Sequence, residues 1–115
     1  MKKVEDMLIR KITKKPILTI LYALNEGPKR WSELEKLINK RYVHEGIREL
    51  LNLGLVEVEL VFDTPTGSKA YQLTPLGKKV VQLLEQIEKE FEEYHSKAPT
   101  KDPEEFIGEL MEGEK

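Results

Sequence analysis

Cysteine is absent from the 115 residues. Disulfides, thiol catalysis, thiol redox sensing and cysteine-ligated zinc are therefore excluded, and an intracellular, cytoplasmic location is the expectation. Histidine occurs twice, at His44 and His95, on different elements and without a metal-ligand spacing, so neither a metal nor a cofactor is expected. No apolar run approaches the roughly 18 residues needed to span a bilayer. The opening Met1-Lys2-Lys3-Val4-Glu5-Asp6 carries acidic residues and lacks an apolar signal core, which argues against an export signal. A phosphate-cradling glycine-rich loop is missing, and Ser32 and Ser68 have no candidate base nearby in sequence. The many Asp and Glu residues have the distribution of surface charge. Together these absences point away from an enzyme.

What is present is a globular composition, 39% hydrophobic and 35% charged, at a length that allows one compact domain. The formal net charge of −2 conceals a strong polarity. Residues 1–48 hold 12 Lys and Arg against 6 Asp and Glu, a balance of +6; residues 49–115 hold 7 against 15, a balance of −8. A basic half of this kind is compatible with nucleic-acid binding despite the acidic total. The competing explanation is a Lys- and Glu-rich surface of solvated helix faces, as in thermophile proteins.

Val4, Leu8 and Ile12 recur every fourth residue and predict an N-terminal helix over 1–14 with Lys and Arg on its other side. Pro16 interrupts this pattern or opens the next helix at its first position. Ile17, Leu18, Ile20, Leu21 and Leu24 make a buried helix that stops at Asn25-Glu26-Gly27-Pro28. Ser32 and Glu35 have capping-box spacing, so a second helix is expected from Ser32, with Leu34, Leu37 and Ile38 on its apolar face. Asn39 is the N-cap candidate of a third helix over about Lys40 to Leu53, with Val43, Ile47, Leu50 and Leu51 apolar and Gly54 as its end. Two short helices joined by so brief a break have the layout of a helix-turn-helix. Residues 55–62 then alternate as a strand, 63–68 form a turn and 70–73 return as a second strand, a candidate wing spanning 56–73. Thr74 and Pro75 supply an N-cap and a first-turn proline for a long helix reaching about Tyr94. A linker containing Pro99 and a short tail helix with Phe106, Ile107, Leu110 and Met111 complete the chain.

The third helix carries the candidate chemistry. Arg41, His44, Glu45 and Arg48 fall at i, i+3, i+4 and i+7, one stripe opposite Ile47 and Leu50. A helix of this form fits the major groove, where Arg can donate twice to guanine and Glu can accept from cytosine. Tyr42 flanks the stripe within reach of a phosphate. Lys29, Arg30, Ser32 and Lys40 sit at neighbouring helix starts, where backbone N–H groups also favour phosphate. The plain alternative is that Glu45 only pairs with Arg41 and Arg48 along the helix, for a few tenths of a kcal/mol. Trp31 reads either as an aromatic platform or, on the general burial of tryptophan, as cover for the second helix. Gly46 costs roughly 0.5–1 kcal/mol relative to alanine inside a helix; it either permits close helix packing or is simply tolerated.

Three blocks, residues 20–34, 47–56 and 71–77, resemble the HxlR family of winged-helix regulators, and more loosely the MarR and PadR groups; the resemblance runs from about Lys15 to Leu84. It implies a homodimeric transcriptional regulator whose recognition helices enter successive major grooves while the wings touch flanking DNA. Carried over by position, it implies Asn39, Lys40, Arg41, His44 and Arg48 as recognition residues and Lys69 as the basic wing residue. Three features depart from the family pattern: the N-terminal cysteine is missing, Glu57-Val58-Glu59 stands where an arginine is usual, and the wing region has Lys69 as its one cation beside Asp63.

In the long helix Val80, Leu84, Ile87, Phe91 and Tyr94 are spaced 4, 3, 4 and 3, a two-heptad seam. It is expected to be covered by a second copy of the chain, with Val4, Leu8 and Ile12 joining, or else by the chain's own tail helix. The fold expected is mainly α with a small β-hairpin. It comprises an N-terminal helix (1–14), a winged helix-turn-helix (15–76), a dimerisation helix (77–95), and a linker with a short C-terminal helix (96–115). The function expected is sequence-specific binding of double-stranded DNA as a homodimeric transcriptional regulator, with a possible small-molecule effector of unknown identity. The alternative is a protein-interaction adaptor that kept the scaffold and lost DNA affinity.

Overall fold

Leucine, isoleucine and alanine recur through Lys15–Asn25 so densely that one face of the resulting helix must be buried. In the computed structural model, which describes residues 3–62 and 67–97, this helix (α2) buries Ile17, Ile20, Leu21, Ala23 and Leu24. A one-turn helix, α1 (Leu8–Ile12), precedes it. The N-terminal helix expected over 1–14 is broken: Val4–Asp6 is a 3-10 turn, and Met7 is extended, with ψ of 141°. Ile12 is consequently turned into the core at 2% exposure, while Val4 and Leu8 stay exposed.

After α2 comes a two-residue strand, β1 (Lys29–Arg30), that sequence pattern alone does not reveal. Helix α3 is short, Trp31–Glu35, and buries Leu34. It starts before Ser32, and the expected capping box is replaced. Glu33 accepts the N–H of Arg30 at 3.1 Å, and the Glu35 carboxylate takes the indole N–H of Trp31 instead of serving Ser32. Leu37 lies beyond α3 and is exposed. Asn39 does cap α4 (Lys40–Asn52), its side-chain oxygen accepting the N–H of Arg41 at 2.9 Å. Helix α4 buries Val43, Gly46, Ile47 and Leu50, and Leu51 is exposed. Gly46 is where α4 meets α2: a Cβ there would come within 2.6 Å of the Ile20 side chain. The close-packing explanation of this glycine therefore holds.

Strands β2 (Val56–Val61) and β3 (Ser68–Leu73) form the expected hairpin, and β1 adds to it, giving an antiparallel sheet in the order β1-β3-β2. Leu55, Val56, Ala70 and Leu73 join the core. The base of the hairpin is closed by Thr74. Its backbone N–H bonds Leu55 O, its hydroxyl donates to Gly54 O at 2.6 Å, and the same oxygen accepts the N–H of Gly77 as the N-cap of α5 (Pro75–Lys97). A Cβ on Gly77 would collide with the Leu55 carbonyl oxygen, so only glycine lets α5 start this close to the hairpin.

The chain forms two compact units, Met1–Leu83 and Leu84–Lys115. In the first, α5 buries Gly77, Val80 and Val81 and leaves Leu76 and Leu83 exposed. In the second, Ile87, Phe91 and Tyr94 are exposed, the last two against the ring of His95. The expected tail helix over 103–112 lies outside the described residues. No described helix is long and apolar enough to cross a membrane.

Candidate nucleic-acid interface

Burial of Val43, Gly46, Ile47 and Leu50 fixes the rotation of α4, and that rotation decides what stands on the opposite face. Arg41, His44, Glu45 and Arg48 all emerge exposed there, with Lys40 and Asn39 at its N-terminal end. Arg41 Nε stands 3.4 Å from Glu45 Oε1, both side chains largely in solvent. An exposed pair of this kind is worth a few tenths of a kcal/mol. It holds the guanidinium loosely and can be exchanged for a base edge or a phosphate. Asn39, by contrast, has its oxygen committed to the helix cap, which leaves its amide N–H₂ as the free part of the side chain.

Ring contacts of Trp31 link α4 to β3. Trp31, half-buried at the start of α3, lies with its ring centroid 6.0 Å from His44 on α4 and 6.0 Å from Tyr71 on β3. It is neither pure cover nor a free platform. Lys29 and Arg30 are half-buried because they lie on β1, paired with Tyr71 and Ala70. The Lys29 ammonium sits 3.6 Å from Glu26. Ser32 is exposed on α3.

On the other flank of α4, Tyr42 is 48% exposed and lines a groove in which Lys11 and Lys14 stand among the carboxylate residues Glu5, Glu45 and Glu49. Lys11 and Lys14 are cations that no sequence motif marks. The basic side of the N-terminal segment is visible in sequence, but its placement beside α4 depends on the kink at Met7.

The wing has a different chemistry. Lys69 is exposed on β3 opposite Leu60. Glu57 and Glu59 are exposed on β2, Glu57 accepting from the Gln72 amide at 2.9 Å. Val58, Leu60 and Phe62 are exposed as well, Phe62 at 79%.

A helix-turn-helix with an exposed polar recognition face, followed by an antiparallel wing, is thus in place, and comparison with known proteins agrees. Residues 11–99 match the family model described as HxlR-like helix-turn-helix. The chain belongs to this family. It is 30% identical over 86 residues to an uncharacterised HTH-type transcriptional regulator of Methanocaldococcus jannaschii, an alignment covering 71% of this chain and 79% of that protein. Among solved structures it resembles a protein described as a MarR-family transcriptional regulator from Enterococcus faecalis V583. The TM-score is 0.68 at 27% identity, over 77% of this chain and 83% of that one. It has the fold of the reduced form of the transcriptional regulator YodB from B. subtilis, with a TM-score of 0.65 at 22% identity over 77% and 90% of the two chains. As an HxlR-like helix-turn-helix protein the chain is a DNA-binding transcriptional regulator with the winged-helix fold.

Proposed function

We propose that the chain reads a short, roughly palindromic duplex as a homodimer, with the exposed face of α4 in the major groove. The observation that carries this is the register of α4: its apolar residues are consumed by the core, and Arg41, His44, Glu45 and Arg48 are left together on the opposite face. Arg41 and Arg48 are assigned to base edges, with Glu45 and His44 between them. Lys40, Tyr42, Lys29, Arg30 and Ser32 are assigned to backbone phosphates around the helix starts, with Asn39 offering its amide. Lys69 is the candidate wing contact. The protein acts where the chromosome is, taken as the cytoplasm, and works by binding and not by catalysis.

Dimerisation is the second part of the proposal. Leu76, Leu83, Ile87 and Tyr94 recur at spacings of 7, 4 and 7, which at about 100° per residue keeps them on one line of a helix. All four are more than half exposed in the single chain. The seam is accordingly assigned to Leu83 in place of Leu84, which is half-buried in its own chain, while Val80 and Ile12 belong to the monomer core. Val4, Leu8, Ile87, Phe91 and Tyr94 keep their assignment to the interface. A two-fold dimer sets half-sites about one helical turn of DNA apart. Ile87→Asp should give monomers by light scattering that bind a single half-site poorly. A wild-type monomer at micromolar concentration would remove the dimer from the proposal.

The acidic strand β2 favours a second reading, an adaptor that binds protein through the wing. Selection of duplexes from a random pool, followed by gel shifts over a range of salt, separates the two. Enrichment of a defined sequence with a steep salt dependence supports DNA reading, and failure to enrich any sequence supports the adaptor.

A further inference from the structure

Beside the cationic residues of α4 lies a shallow hollow lined by Trp31, Asn39, Lys40, Arg41, His44 and Glu45. Its wall is the Trp31 ring. The indole N–H is already bonded to Glu35, and the ring is held between His44 and Tyr71. Trp31 therefore presents carbon surface and no polar handle. The Asn39 oxygen is spent on the helix cap, and Arg41 and Glu45 face one another. A base edge entering this hollow meets an apolar wall with Lys40 and Arg41 at its rim. Among the groups exposed in the major groove, the apolar one is the C5-methyl of thymine.

We propose that this hollow receives a thymine methyl group, so that Trp31 is a specificity-determining residue and the operator carries a thymine at a fixed distance from the base read by Arg41. The proposal rests on the assignment of α4 to the major groove. Lys40 at the rim draws the phosphate of the same strand, and the ring of His44, packed against Trp31, closes the hollow from the side of α4. The partner is thus identified by one methyl group, and that can be removed from DNA without touching anything else.

The test uses the full chain and a duplex it selects from a random pool. Each thymine of the selected site is replaced singly by deoxyuridine, which deletes only the methyl. One position per half-site should then bind about fourfold more weakly, the worth of one buried methyl group. Trp31→Ala should bind the thymine and deoxyuridine duplexes equally. Trp31→Phe, which keeps a ring, should restore part of the discrimination and guards against loss of fold in the alanine variant. Because Trp31 is the single tryptophan, its fluorescence should also change more on binding the thymine duplex than the deoxyuridine one. Tolerance of deoxyuridine at every position overturns the proposal while leaving α4 in the groove, and so does discrimination that survives in Trp31→Ala. If the pool yields no selected site, the major-groove assignment fails, and this proposal fails with it.

Discussion

The two elements that a winged helix can turn towards DNA have opposite chemistry in this chain. The exposed face of α4 carries Lys40, Arg41, His44 and Arg48 with one carboxylate, Glu45, which is itself paired to Arg41. The described part of the wing carries Glu57 and Glu59 against Lys69, with Val58, Leu60 and Phe62 exposed among them. Phosphate attracts the first surface and repels much of the second. On the proposed reading, affinity and sequence discrimination are concentrated in α4, and the wing contributes through shape and position more than through charge.

Several substitutions test this contrast. The largest effect should come from the joint that fixes the wing to the rest of the domain. Gly77→Ala places a Cβ against the Leu55 carbonyl, which is backbone and cannot swing aside. Unfolding in urea should show a loss of about 3 kcal/mol, the upper range for overpacking, and a loss below about 1 kcal/mol would mean that the joint yields. On the reading surface, Arg41→Ala or Arg48→Ala should weaken specific binding by about 1–3 kcal/mol with folding intact, if each reads a base. On the wing, Glu59→Lys should raise affinity if phosphate lies nearby, and steepen the salt dependence by about one phosphate equivalent. An unchanged slope would place the wing clear of the DNA backbone. The smallest effect should come from thiol-specific oxidants. With no cysteine in the chain, operator binding by the purified protein should be unaffected, and any oxidant response must run through Met1, Met7 or Met111.

Much of this arrangement is legible in the sequence where local chemistry decides the outcome. Asn39 caps α4, Thr74 caps α5 and the alternation of 56–61 makes a strand because each signal lies within a few residues of what it controls. The polar stripe of α4 is legible because the apolar spacing of Val43, Ile47 and Leu50, which the core buries, fixes the helix rotation. The failures are tertiary. Strand β1 is two residues long and exists through its pairing with β3. The Ser32–Glu35 capping box gives way because Glu35 meets the Trp31 indole and Glu33 meets the Arg30 N–H. Regular spacing of Val4, Leu8 and Ile12 suggests one helix, but the chain bends at Met7 and delivers Ile12 to the core. Trp31 as a link between α4 and β3 is not foreseeable either, because Tyr71 lies 40 residues away in sequence.

The central claim, that α4 and not the wing carries DNA affinity, is tested most directly by titrating one selected duplex with the wild type, Arg48→Ala and Lys69→Ala in parallel at fixed salt. The account predicts a loss of about fivefold or more for Arg48→Ala, corresponding to at least one lost base contact, and a loss of less than about threefold for Lys69→Ala, as for a single exposed cation. Equal losses in the two variants, or a larger one for Lys69→Ala, would contradict it.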